Sequence, residues 1–118
     1  NVLKASILGT EYTVTTKVPR TEDKNLEGIL GYCDTTACSI VIVDFDSIPE
    51  WEDSSEASKQ EAQDTTIRHE VIHAYLYESG LWSSSLDVHS WAMNEEMVDW
   101  LAMQFPKILR TFVELGCV

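Results

Sequence analysis

The chain is short of positive charge. Lys and Arg number 8 against 20 Asp and Glu, giving a formal net charge of −12 over 118 residues. Such a surplus repels phosphate backbones and anionic headgroups, which argues against nucleic acid or a membrane surface as a partner. Long apolar runs are also missing, and none approaches the roughly 20 residues that span a bilayer. Residues 1–10 carry one Lys and no long apolar core, so no signal peptide is expected there. Cysteine is scarce and odd in number, with Cys33, Cys38 and Cys117. A secreted disulfide framework favours an even set, and a cytoplasmic location is expected. Three thiols also fall short of the four ligands of a structural zinc site, so they read as small buried hydrophobes.

A hydrophobic share of 44% in 118 residues suffices for one core and one domain, residues 1–118. Residues 2–8 are mostly apolar and stop at Gly9. Residues 11–18 alternate Tyr12, Val14, Thr16 and Val18 with polar neighbours, the period-two pattern of a half-buried strand, and Pro19 ends it. The charged stretch 20–27 is expected to be a mobile loop. Residues 28–33 form a weaker strand candidate and residues 39–44 the strongest one, and a hairpin would pair them. An α+β fold is expected, with a small N-terminal sheet followed by helices. Trp51 and Trp82 fall near expected loops and read as caps on the core, with substrate contact as the alternative.

A helix should begin at Asp53 or Ser58, each with a Glu three residues on as in a capping box, and end at Gly80. After a connecting loop over residues 81–86, a second helix should cover residues 87–105 until Pro106 breaks it. Its apolar residues cover almost every face, which predicts a buried helix. A short last helix, residues 107–115, should turn Ile108, Leu109, Phe112 and Val113 inward.

The first helix carries His69-Glu70-Val71-Ile72-His73. Residues four apart share one helix face, so His69 and His73 can aim at a common centre, a natural imidazole pair for zinc. Glu70 lies about 100° around the helix, where it can reach a water beside the metal without being a ligand. Two histidines on an amphipathic helix can also be plain core or surface residues. The chain has only three His, however, and two stand on this pattern.

A catalytic zinc takes three protein ligands and leaves a position open. Glu95 and Asp99 are four apart on the second helix and share a face. One can ligate while the other holds a histidine from behind, fixing its tautomer. Burial in an apolar helix would give both a reason to bind metal. Glu96 points elsewhere and reads as a rim acid. His89, Tyr77 and Arg68 are candidates for stabilising an oxyanion.

His-Glu-x-x-His followed by Asn94-Glu95-Glu96-Met97-Val98-Asp99 resembles the gluzincin zinc peptidases, whose second helix carries Asn-Glu-x-x-x-Asp. The resemblance implies a zincin-like fold with Glu95 as third ligand and Asp99 supporting a ligand histidine. It implies peptide-bond hydrolysis with Glu70 as general base, Zn2+ as cofactor and a peptide or protein as substrate. It also implies an edge strand that binds extended peptide, for which residues 39–44, or their neighbour, are the candidate. In size the chain resembles the minimal gluzincins and, more loosely, small zincin-type proteins of phages and bacteria of the ImmA/IrrE kind. A zincin-fold module that binds or regulates without cutting, a latent hydrolase, and hydrolysis of a non-peptide substrate are the alternatives.

Overall fold

The alternation in residues 11–18 builds the second strand of a four-stranded mixed sheet, in a computed structural model that describes residues 1–85, 87 and 89–118. Strand β1 (Val2–Ile7) pairs antiparallel with β2 (Thr10–Val18) across a tight turn at Leu8 and Gly9. Both turn residues have positive φ, 50° and 88°, the geometry that matches the twist of a two-residue hairpin. Strands β3 (Gly31–Asp34) and β4 (Ser39–Val43) form the expected hairpin. Strand β4 then inserts parallel to β2, so the order is β1-β2-β4-β3. The most apolar strand is therefore interior, and β1 and β3 are the two edges. This corrects the choice of residues 39–44 as the edge strand in favour of their neighbour.

Helix α1 (Glu56–Glu78) packs across the sheet. Tyr12, Val14, Ile40 and Ile42 from the sheet share one core with Ala74, Ile67 and Val71 from the helix. The helix is capped by Ser55, whose hydroxyl accepts from the Ser58 N–H at 3.1 Å, rather than by Asp53 or Ser58. It ends where expected, with Gly80 at φ 87°. At that end Glu78 accepts from the hydroxyls of Thr10 at 2.8 Å and Tyr12 at 2.7 Å, which ties the helix to β2. Trp51 meets Phe45 edge to face and packs on the core.

The stretch 20–27 is held, not free. It folds into two short 3-10 turns, Leu26 is fully buried, and Asp23 accepts from the Tyr32 hydroxyl at 2.6 Å. A charged sequence hid one apolar anchor.

The second half differs most from expectation. One continuous helix, α2 (Glu95–Glu114), replaces the helix over 87–105 and the short helix over 107–115, and it runs through Pro106. Residues 86 and 88, at the expected loop end and helix start, lie outside the described residues. Helix α2 is not buried all round either. Only Val98 and Ala102 are buried, while Trp100, Met103 and Phe105 are exposed. Leu109, Phe112 and Val113 are exposed too, against the expected inward packing. Helix α1 thus covers only part of the apolar surface of α2. Cys33 and Cys38 are half-buried, but Cys117 is exposed and is no core residue. No helix among the described residues is long and apolar enough to cross a membrane.

Candidate metal centre

Three side chains from two helices converge on one point. On α1, His69 and His73 stand one turn apart with their rings edge to face, and their Nε2 atoms lie 3.1 Å from each other. Glu95, the first residue of α2, brings Oε1 to 3.0 Å from His73 Nε2 and 3.1 Å from His69 Nε2. Asn94 makes that placement possible. Its side chain caps α2 by accepting from the Met97 N–H at 2.8 Å, so the helix begins at the residue whose carboxylate is needed.

Behind His69, Asp99 Oδ1 lies 2.7 Å from Nδ1. An ionised carboxylate only accepts, so Nδ1 carries the proton and Nε2 turns its lone pair to the centre. Glu70 stands further off, with Oε2 4.0 Å from His69 Nε2. His69, Glu70 and His73 thus form a group able to hold a metal ion, their ligand atoms all within 4.8 Å of one another. Glu95 is closer to the imidazoles than Glu70 is.

The electrostatics separate the two glutamates. Glu70 is 7% exposed, and its pKa is pushed up to about 7, first by burial and then by the carboxylates of Glu95 and Asp99. Burial likewise lowers the His73 pKa, which favours the neutral, ligating imidazole. The side chains of Glu95 and Asp99 are 67% and 63% exposed. The expected burial of these acids is therefore wrong. They meet the histidines at the rim of an open cleft, not inside a core.

That cleft, of roughly 1080 Å³, has α1 as its floor and β3 as one wall, through Gly31, Tyr32 and Cys33. Trp82, His89 and Met93 line it as well. Trp82 packs on Tyr77 at 5.7 Å between ring centroids and is 39% exposed, so it borders the cleft rather than capping the core. Burial and the acids nearby push the Cys33 thiol up to about 12, which keeps it protonated and unreactive.

Of the three oxyanion candidates, only His89 lines the cleft. Tyr77 packs on Trp82, and Arg68 donates from Nε to the Ala102 carbonyl at 2.6 Å. Glu96 is exposed at the surface. Sequence reasoning allowed the β3 wall only as the neighbour of residues 39–44, and it missed the capping role of Asn94. An Asn immediately before two acids is a helix-start signature and was the available signal for the cap.

Protein-family models, curated proteins and solved structures give no match to this chain. What defines the protein is an α+β domain, a mixed sheet with two helices, carrying a His-Glu-His group that can hold a metal ion.

Proposed function

We propose that the chain is a zinc-dependent metallopeptidase of gluzincin-like type on a zincin-like fold. The observation that carries this reading is the triangle of His69 Nε2, His73 Nε2 and Glu95 Oε1, with edges of 3.0–3.1 Å, beside an open cleft. Zinc bonds of about 2.0–2.1 Å at tetrahedral angles call for ligand atoms about 3.3 Å apart, so the triangle fits with small adjustment. Two imidazoles and one carboxylate are a catalytic zinc set, one that would leave a fourth position open for chemistry. A zinc ion held by these residues would supply Lewis acidity toward a carbonyl and a water.

The protein's own groups do the rest. Glu70, with its pKa near 7, is matched to take a proton from water and hand it to a leaving amine. Asp99 holds His69 in the ligating tautomer. The free edge of β3 offers backbone groups to an extended peptide lying in the cleft.

Metal analysis of purified protein should find about one zinc per chain, lost in Glu95→Ala and His73→Ala. A cleavage-site screen on a proteome digest then compares wild type with Glu70→Gln. Full zinc occupancy in Glu95→Ala would remove the third-ligand assignment. Identical digests would leave the second reading, a zincin-fold module that binds without cutting. That alternative gains weight from the placement of Arg68 and Tyr77 away from the cleft, which leaves His89 as the one named oxyanion candidate there, because such donors supply several kcal/mol.

A further inference from the structure

Pro106 sits inside α2, where proline should be disruptive. A proline has no N–H, so it cannot donate to the carbonyl four residues back, and its ring pushes that carbonyl off the helix axis. The carbonyl belongs to Ala102, which is fully buried against α1. Left alone it would be an orphaned acceptor. Arg68 of α1 answers it, donating from Nε at 2.6 Å. The same guanidinium donates from Nη2 to the Thr65 hydroxyl at 3.2 Å and lies 3.9 Å from Glu61, contacts that hold it in place.

The position of this contact matters. Arg68 precedes the ligand His69, and Ala102 lies one turn beyond Asp99, which binds His69 Nδ1. Sliding α2 by one turn moves every group on it by about 5.4 Å and would part Arg68 from this carbonyl. We infer that Arg68 and Pro106 form a register lock between the helices, with Arg68 as a positioning residue that seats Glu95 and Asp99 on the histidine pair. Proline exposes one carbonyl on α2, and arginine fixes which residue of α1 it must face. The part of the inference that concerns metal rests on the zinc reading of the site; the register of the helices does not.

The test uses the full chain as wild type, Arg68→Ala, Pro106→Ala and the double variant, each confirmed folded by circular dichroism. Zinc affinity is measured by competition with a chelator. Arg68→Ala should bind zinc about tenfold more weakly. In the Pro106→Ala background the same change should cost less than about threefold, since residue 106 then supplies the N–H that Ala102 needs. Charge alone predicts the opposite sign, because removing a cation beside a metal site tightens binding. A second readout needs no metal: the slowly exchanging, downfield proton of His69 Nδ1 should be present in wild type, lost in Arg68→Ala and kept in the double variant. Equal losses in both backgrounds overturn the lock, as does an Arg68→Ala protein that keeps both affinity and imidazole proton. A wild type that binds no zinc removes the metal reading, while the imidazole signal still decides the lock. Should Arg68→Ala fail to fold, Arg68→Lys, which keeps the charge and loses the fork, is read in the same way.

Discussion

Asp99 Oδ1 lies 2.7 Å from His69 Nδ1, so a carboxylate on α2 sets the tautomer of an imidazole on α1. The contact decides which nitrogen of His69 faces Glu95 and His73. Replacing Asp99 by Ala removes both the orientation and the added basicity. Zinc affinity is expected to fall about 10–100-fold, or roughly 1.4–2.7 kcal/mol, in a chelator competition. An unchanged affinity would make the contact incidental to metal binding.

Glu70 is separable from the ligands because its carboxylate stands 4.0 Å from His69 Nε2 while Glu95 stands at 3.1 Å. Glu70→Gln keeps the shape and removes the proposed base. Zinc content should hold near wild type while peptide turnover falls by about 10²–10⁴. Loss of zinc together with turnover would instead place Glu70 among the ligands.

Much of this site was legible from spacing alone, and the burial argument for it was not. Positions i and i+4 put His69 with His73 and Glu95 with Asp99 on single helix faces, and the structure turns those faces toward each other. The apolar composition of α2 suggested a buried helix, yet Trp100 and Met103 point to solvent. Composition counts apolar residues but cannot say how much surface α1 provides for them. Pro106 was misjudged for a related reason: the sequence shows the missing N–H but not the distant Arg68 that takes the freed carbonyl. In the sheet, alternation revealed β2, a short apolar run revealed β4, and local pairing gave the β3–β4 hairpin, while residues 2–8 were read only as an apolar stretch. The parallel insertion of β4 beside β2 is a non-local choice that period two does not encode.

The pH dependence of the metal-free protein carries a sign that can be worked out. Glu70 rises from a value of 4.5 to about 7 on folding, so the folded state holds its proton more tightly. Its contribution is fully present below pH 4.5 and is lost as pH rises through 7, at about 1.4 kcal/mol per pH unit between them. His73 acts the other way, because burial lowers its pKa and its penalty fades as pH climbs to 6.5. Comparing wild type with Glu70→Gln in a chelator cancels the histidine. The Gln variant should gain on wild type between pH 4.5 and 7, by on the order of 3 kcal/mol in urea unfolding. A gap that does not change with pH would mean that Glu70 titrates as an ordinary surface acid.

Gly31 lets β3 lie close against α1. A Cβ there would meet Thr66 Cγ2 and the Val41 carbonyl oxygen at 3.0 Å, and Ile42 Cδ1 at 3.1 Å. The cost is space and not backbone conformation, since Gly31 is not among the positive-φ residues. Thr66 cannot swing away freely, because its hydroxyl donates to the Ala62 carbonyl at 2.7 Å. Gly31→Ala should therefore destabilise the protein by about 1–3 kcal/mol. At about 3–6 °C per kcal/mol for a chain of this size, the loss is easily read in a thermal melt. Thr66→Ala in the same chain removes the Cγ2 obstacle but leaves the Val41 carbonyl, which β4 holds in the middle of the sheet. The double variant should recover part of the loss and not all of it. Full recovery would show that β3 can retreat from α1, and then the cleft wall formed by Tyr32 and Cys33 would be an adjustable one.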